Sequence, residues 1–272
     1  MDDMPSYRDE AIVLRTHKLG EADRIITLLT RTHGKVRAVA RGVRRTSSKF
    51  GGRLEPFRHV DLQVIEGRSL DICGQVQQLH AWSEPILADY ERYTAGQVML
   101  ETVDRLVSVE NEPALRHYLL LAGALRVLGE GTTDGPRSAG MILDSYLLRS
   151  LSLAGYSPSL DSCAACGRVG PHPFFSPSSG GMVCAGCRGS GAVRVSAETS
   201  VLLAALVRGD WPSTRAATPM VQRQVSGIVS AFATWHLEHG LRSFSHVERS
   251  FSAVVGELDP AADQSAQSLQ SP

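Results

Sequence analysis

Residues 34–56 read GKVRAVARGVRRTSSKFGGRLEP. In the first half of this stretch Lys35, Arg37, Val39 and Arg41 alternate with Val36, Ala38 and Ala40. A period of two marks a β-strand with one buried face, here with small apolar side chains inside and a row of cations outside. The strand runs into GVRRTSSKFGGR, whose glycines and serines mark an irregular connection. No carboxylate occurs between Asp23 and Glu55, an interval that holds nine cations: Arg24, Arg31, Lys35, Arg37, Arg41, Arg44, Arg45, Lys49 and Arg53. One strand with a charged face is ordinary on a soluble protein. Nine cations without an acid are not, and a cationic strand feeding a basic loop has the shape of a phosphate-binding groove. The residues expected to contact phosphates are Lys35, Arg37, Arg41, Arg44, Arg45, Lys49 and Arg53. Phe50 and Phe57 are the candidates for stacking on bases, with a place in the core as the alternative.

Four more strand-like runs flank this one: AIVLRTHKLG, ADRIITLLT, FRHVDLQVIEG and LDICGQVQQLH. Breaks at Gly20-Glu21, Thr32 to Gly34, Thr46 to Pro56 and Gly67-Arg68 separate them. Five short strands within about 70 residues fit a small barrel, and the five-stranded OB-fold is the obvious candidate. Cys73, inside an apolar strand, reads as a small core residue.

After Ser83 the period becomes helical. A first helix from Pro85 carries Ile86, Tyr90, Tyr93, Leu100, Val103 and Val107 on one face. A second, from Pro113 to Gly129, carries Leu115, Tyr118, Leu119, Ala122 and Leu125. A third, from Pro136 to Gly155, turns Leu143, Leu147 and Leu151 inward. Two more are expected at Ser196–Arg208 and from Thr218 to Gly240, the latter with Val221, Val225, Ile228, Phe232 and Trp235 inward. The fold class is thus α+β, with a barrel domain over residues 1–81 and a helical domain over 82–257. Residues 258–272 are polar and low in large apolars, which predicts a disordered tail.

Net formal charge is zero, but it is segregated. Residues 11–60 hold twelve Lys or Arg and three acids, leaving 16 cations against 25 acids elsewhere. Such asymmetry points to a polyanion at one end of the molecule. No apolar run reaches 18 residues, and MDDMPSYRDE has no signal-peptide core, so a cytoplasmic protein is expected.

Cys163-Ala-Ala-Cys166 and Cys184-Ala-Gly-Cys187 are two CxxC pairs with 17 residues between them. Two residues between thiolates let each pair curl so that both sulfurs face one tetrahedral metal. PHPFFSPSSGGMV between the pairs can form a hairpin about SPSSGG, giving a zinc-ribbon-like module at 161–189. Four protein ligands close the shell, so one structural Zn²⁺ is expected, with His172 as the alternative ligand and dithiol redox chemistry as the weaker reading. His236 and His239 lie three apart on a helix but lack the HExxH spacing. The glycines at 129, 131 and 135 follow a helix and have no GK[ST]. Neither GxSxG nor an acidic cluster beside the basic strand occurs, so nothing supports an enzyme.

EAIVLRTHKLGEADRIITLLTRTHGKVRAVARGVRRTSSKFGGRLEPF, VDLQVIEGRSLDI, and LLRSLSLAGYSPSLDSCAACG followed by FFSPSSGGMVCAGC occur in this order along the chain. In these stretches the chain resembles the RecO family of bacterial DNA repair and recombination mediators. The resemblance implies an N-terminal OB-fold, a helical domain and an embedded zinc module. It also implies a mediator that binds single- and double-stranded DNA, anneals complementary strands, and works with RecR and single-strand-binding protein to load RecA onto coated DNA. Binding the acidic, apolar tail of single-strand-binding protein needs an apolar slot rimmed by cations. One expected wall is the helix with Leu143, Leu147, Arg149 and Leu151. The rival reading is a zinc-containing protein-interaction adaptor whose basic region binds an acidic protein.

Overall fold

Strand β1 (Ser6–Leu19) is 14 residues long because it serves two neighbours. Its first half pairs with β4 (His59–Ile65) from Ser6↔Ile65 to Ile12↔His59, and its second half pairs with β2 (Asp23–Thr30) as far as Leu19↔Asp23. A register shift between Val13 and Arg15 supplies the bend that turns the strand from one partner to the other. With β3 (Gly34–Ala40) and β5 (Asp71–His80) the strands close a barrel in the order β1-β2-β3-β5-β4. This is the five-stranded OB-like barrel expected from the sequence. The computed structural model describes residues 5–237.

Small and branched side chains fill the barrel: Ala11, Val13, Ile26, Leu28, Val36, Ala38, Ala40, Val60, Leu62, Val64 and Cys73. Phe50 and Leu54, at either end of a 3₁₀ turn over Gly51–Leu54, plug it between β3 and β4. Closure of β3 onto β5 involves only Ala38↔Asp71 and Val39↔Ile72. The first half of β3 therefore presents an open edge, and the helical region covers it. Asn111 N–H donates to the Lys35 carbonyl at 2.9 Å. At Gly34 (φ +71°) the chains come so close that a Cβ would stand 1.7 Å from the Glu112 carbonyl oxygen.

Among the described residues six α-helices follow: α1 (Ser83–Leu87), α2 (Tyr90–Leu106), α3 (Leu115–Glu130), α4 (Ala139–Leu153), α5 (Ala197–Arg208) and α6 (Pro219–His236). The side chains of Asp89, Ser138, Ser196 and Thr218 cap the N-termini of α2, α4, α5 and α6 by accepting backbone N–H groups. Helix α4 is central, packed against α2, α3, α5 and α6 with Leu143, Leu147 and Leu151 fully buried. Ile12, Leu14 and Leu29 on the outer face of the barrel join this helical core together with Phe57. Helix α2 approaches so closely that a Cβ on Gly96 would sit 2.7 Å from Phe57 Cε1. At the same joint the rings of His59, His80 and Trp82 lie nearly parallel with centroids 4.7–5.3 Å apart.

Several expectations are corrected. The first helix is two, because Asp89 restarts the helix after α1. Tyr90 (66% exposed) and Tyr93 then face away from the core, and small residues such as Ala95 and Gly96 face inward. Leu115 and Leu119 are exposed on α3, which buries Tyr118, Leu121, Leu125 and Leu128 instead. Trp235 is 60% exposed although it continues the inward stripe of α6. Phe50 and Phe57 are buried, so neither ring is open to a base. His239, the end of the fifth expected helix and the expected tail lie outside the described residues.

Candidate nucleic-acid interface and metal centre

The β1-β2-β3 sheet aligns its side chains in rows across the barrel's outer face. Register places Arg15, Thr27 and Arg37 in one row and His17, Ile25 and Val39 in the next. The sequence reading missed Arg15 and His17. Their signal was the same two-residue spacing on β1 that singled out Lys35 and Arg37 on β3.

The cations of β3 are already partnered. Lys35 is only 7% exposed, with Nζ donating to the Asp104 carbonyl at 2.9 Å and lying 3.4 Å from Asp104 Oδ1. This corrects the expectation that Lys35 stands on a solvent face. Arg15 Nε donates to Asp104 Oδ2 at 2.6 Å, so one carboxylate of α2 serves two cations of the barrel. Arg37 faces Glu110 at 3.5 Å, a looser pair that leaves it half-exposed. Arg53 is a staple: its guanidinium donates to the carbonyls of Phe50 (2.9 Å), Val76 (3.3 Å) and Lys49 (2.6 Å). These bonds hold the 3₁₀ plug against β5.

Arg41, Arg44, Arg45 and Lys49 are different. They stand on the exposed connection after β3, and among the described residues none of them meets a carboxylate. The connection is pinned from below: Gly42 N–H donates to Asp23 Oδ1 at 2.7 Å and Arg44 N–H to the Ala22 carbonyl at 3.0 Å. Arg44 Nη1 also reaches the Glu21 carbonyl at 2.8 Å, and Lys49 Nζ lies over the Phe50 ring at 5.0 Å. The result is a positive rim on a rigid base. A rim of unneutralised cations attracts a polyanion by counterion release.

Cys163, Cys166, Cys184 and Cys187 converge, with all four sulfurs within 4.8 Å of one another. The Cys166 and Cys184 sulfurs are 4.0 Å apart. Tetrahedral ligands about 2.3 Å from a zinc ion would be separated by about 3.8 Å, so the spacing fits. Gly167 (φ +72°) closes the first knuckle by donating to the Cys163 carbonyl at 2.8 Å. The hairpin of β6 (Phe174–Ser176) and β7 (Gly181–Val183) carries the second knuckle, and β8 (Val193–Arg194), not anticipated from sequence, pairs with β6. Phe175 anchors the module to α6 edge-to-face on Phe232 at 6.0 Å. His172 is no fifth donor, since its Nε2 bonds the Arg168 carbonyl at 2.7 Å. Backbone N–H groups of Cys184 and Cys166 pull the Cys163 thiol down to about 6, while hydrogen bonding with Cys184 and Cys166 pushes Cys187 up to about 12. Four crowded sulfurs cannot all ionise without a cation among them. This donor set can hold one metal ion, and it is the only cluster of its kind among the described residues.

A third feature is a groove of about 430 Å³ between α3, α4 and α5, lined by Arg116, Leu119, Leu120, Arg149, Ser152, Leu153 and Val207. Arg149 belongs to the expected wall. Leu143, Leu147 and Leu151 do not, because they occupy the buried face of the same helix. Arg149 is half-buried, and burial lowers its pKa from the ordinary guanidinium value. Gly209 gives it room, since a Cβ there would lie 3.0 Å from Arg149 Nη1.

Two family descriptions match this chain in tandem: the N-terminal part of recombination protein O over residues 4–82, and its C-terminal part over residues 87–244. The chain belongs to the RecO family. It is 58% identical over 246 residues to the DNA repair protein RecO of Cutibacterium acnes, covering 90% of this chain and all of the relative. It is 56% identical over 247 residues to that of Thermobifida fusca, covering 91% of this chain and all of the relative. The protein of Streptomyces avermitilis is 54% identical over 252 residues. The basic rim, sulfur tetrad and cationic groove thus belong to a recombination-repair protein. Among its described residues no helix is long and apolar enough to cross a membrane.

Proposed function

We propose that this RecO-family chain is a non-enzymatic mediator that binds single- and double-stranded DNA on its barrel and anneals complementary strands. With RecR it helps load RecA onto DNA coated by single-strand-binding protein. It acts in the cytoplasm, at the nucleoid. The observation that carries the DNA reading is the rim of Arg41, Arg44, Arg45 and Lys49, free of carboxylates among the described residues. Arg37, paired with Glu110, borders the phosphate track without joining it, while Lys35 and Arg53 shape the surface from beneath. Phosphate contacts position a strand without reading its sequence, which suits a protein that must accept any DNA.

One structural Zn²⁺ would be held by Cys163, Cys166, Cys184 and Cys187. Four protein ligands leave no place for substrate, so the ion would supply folding energy to the hairpin and not chemistry. The groove around Arg149 suits the acidic, apolar tail of single-strand-binding protein: Leu119, Leu120, Leu153 and Val207 offer apolar contact, and Arg116 and Arg149 offer charge.

A salt titration of oligonucleotide binding tests the DNA reading. Each phosphate contact on a single strand contributes a slope of about −0.7 in log K against log salt. Replacing Arg44, Arg45 and Lys49 together with Ala should flatten the slope by about 2, equally for different sequences. A folded triple variant with an unchanged slope would place the DNA elsewhere.

A further inference from the structure

A strand held by its phosphates leaves its bases to find another surface. Phe50 and Phe57 are buried, so neither ring receives one. On the outer face of the barrel, register aligns His17 with Ile25, Ile25 with Val39, and Val39 with Ile72, a single row across β1, β2, β3 and β5. The inward places on these strands go to Ile26, Ala38, Ala40 and Cys73, so the row faces out. Its three apolar members are partly exposed and belong neither to the filling of the barrel nor to the helical core. Branched side chains are ordinary in strands. An apolar row carried across strand after strand and left without cover is not. The helical region stops one row short of it, where Arg15 meets Asp104 and Arg37 meets Glu110. On the other side stand Arg41, two residues beyond Val39, and the turn between β1 and β2 onto which the Arg44 backbone is bonded. The row is an apolar strip edged by the basic rim.

We infer, on the reading of the rim as the phosphate site, that His17, Ile25, Val39 and Ile72 receive the unpaired bases of a single strand and so separate single-stranded from double-stranded DNA at the barrel. In a duplex the flat faces of the bases are stacked on one another and cannot reach the row, whereas in a single strand they are open. Three steps between neighbouring strands span about 14 Å, long enough for a few nucleotides. His17 ends the row with an imidazole face, and Arg15 Nη1 donates to its Nε2, which holds the ring in place. A nucleobase fits this strip better than an apolar protein segment does, because the cations along its edge, Arg41, Arg44, Arg45 and Lys49, meet no carboxylate among the described residues and match a ligand with a phosphate at every unit. Annealing then carries its own release step. As two strands pair, their bases leave the row and the rim alone holds the duplex.

The chain carrying His17→Thr, Ile25→Thr, Val39→Thr and Ile72→Thr keeps every cation and the whole filling of the barrel, and puts a good strand former at each place. It and the unaltered chain are titrated with three fluorescent probes of equal length: a mixed-sequence single strand, an abasic sugar-phosphate strand and a duplex. The variant should bind the single strand at least about tenfold more weakly at every salt concentration, with an unchanged salt slope, because contacts to bases release no counterion. Its affinity for the abasic strand and the duplex should stay within about twofold of the unaltered chain's. The unaltered chain needs no mutation to be tested: it should bind the abasic strand at least about tenfold more weakly than the ordinary one. Equal affinity of the unaltered chain for those two strands overturns the base row. So does an equal loss on all three probes in the variant, or no loss on any, the result expected of a row that serves a protein partner. The rim reading survives each of these outcomes if Ala at Arg44, Arg45 and Lys49 still flattens the slope. An unchanged slope in that rim variant removes the phosphate site, and the base row with it.

Discussion

His59 should make the protein lose stability between pH 6.5 and 4. The imidazole is 5% exposed and lies among the parallel rings of His80 and Trp82. Its Nε2 is 2.8 Å from the Tyr118 hydroxyl, which donates its own proton to Glu10 Oε2 at 3.2 Å. Nε2 must therefore carry the proton that Tyr118 accepts, and Nδ1 is left buried without a partner. Protonating Nδ1 would bury an N–H and a positive charge with no acceptor. Burial, reinforced by His80 and opposed by Glu10, accordingly lowers His59 from 6.5 to about 4. The unfolded chain binds a proton near pH 6.5, and the folded one does not until near pH 4. Stability is then undiminished above pH 6.5 and falls as pH drops through this window, because the unfolded state holds more protons. Each pH unit of displacement corresponds to about 1.4 kcal/mol, so the shift at most costs about 3 kcal/mol. Allowing for solvent screening at the joint, about 2 kcal/mol at pH 4 is a fair expectation. The perturbation is His59→Phe, which keeps a ring in the stack and cannot titrate. Urea unfolding of both proteins at pH 7.5, 6, 5 and 4 isolates the effect, since other groups cancel in the difference. The gap between the two should shrink or reverse by about 2 kcal/mol on going from pH 7.5 to 4. Parallel curves would refute the reasoning.

If the four sulfurs hold a metal, Cys163→Ser should remove most of it and unfold the β6–β7 hairpin while leaving the DNA binding proposed for the barrel largely intact, as read by elemental analysis and limited proteolysis. Because protons compete for thiolates, the wild-type protein should release its metal as pH falls, with a chromophoric chelator reporting the release; retention of metal in the Ser variant would refute the four-sulfur site. Lys35→Ala should cost about 1–3 kcal/mol in urea unfolding by exposing half of the Asp104 pair, yet leave the DNA salt slope unchanged; a flattened slope would return Lys35 to the interface. Gly34→Ala should cost at least about 2 kcal/mol, since φ +71° is strained for a side chain and its Cβ would collide with the Glu112 backbone, and a neutral result would mean that the connector can move away.

The pattern in residues 35–41 was legible to the extent that it was local. Alternation named the inward set correctly, for Val36, Ala38 and Ala40 all lie inside the barrel. It could not say what covers the outward set, because the cover of Lys35 comes from Asp104, 69 residues away. The same limit explains α3. Helical period finds the helix, but Leu115 and Leu119 form a second apolar stripe that the core does not use, and only packing shows which stripe is inward. The sulfur tetrad was legible because the geometry of each knuckle is set within a few residues.

Partnering also decides how much of the basic interval is open to the proposed phosphate contacts. Of its nine cations, Arg24 pairs with Glu55, Arg31 with Glu10, Lys35 with Asp104 and Arg37 with Glu110, while Arg53 is spent on three carbonyls. Among the described residues four meet no carboxylate and keep a guanidinium or ammonium N–H free: Arg41, Arg45, Lys49 and Arg44, of which only Nη1 is held, by the carbonyls of Gly20 and Glu21. If all nine met phosphates, the single-strand salt slope would be about −6; with four it should be about −3. The ion pairs need not be broken for binding, so a slope near −3 is expected even where affinity is high. A measured slope near −6 would mean that Glu55, Glu10, Asp104 and Glu110 surrender their partners when DNA arrives. The connector after α2 would then have to leave the edge of β3, because Asn111 N–H is bonded to the Lys35 carbonyl of the same strand whose Arg37 is neutralised by Glu110. Hydrogen exchange at the Asn111 amide, with and without DNA, distinguishes the two cases: continued protection goes with the shallow slope, and lost protection goes with the steep one.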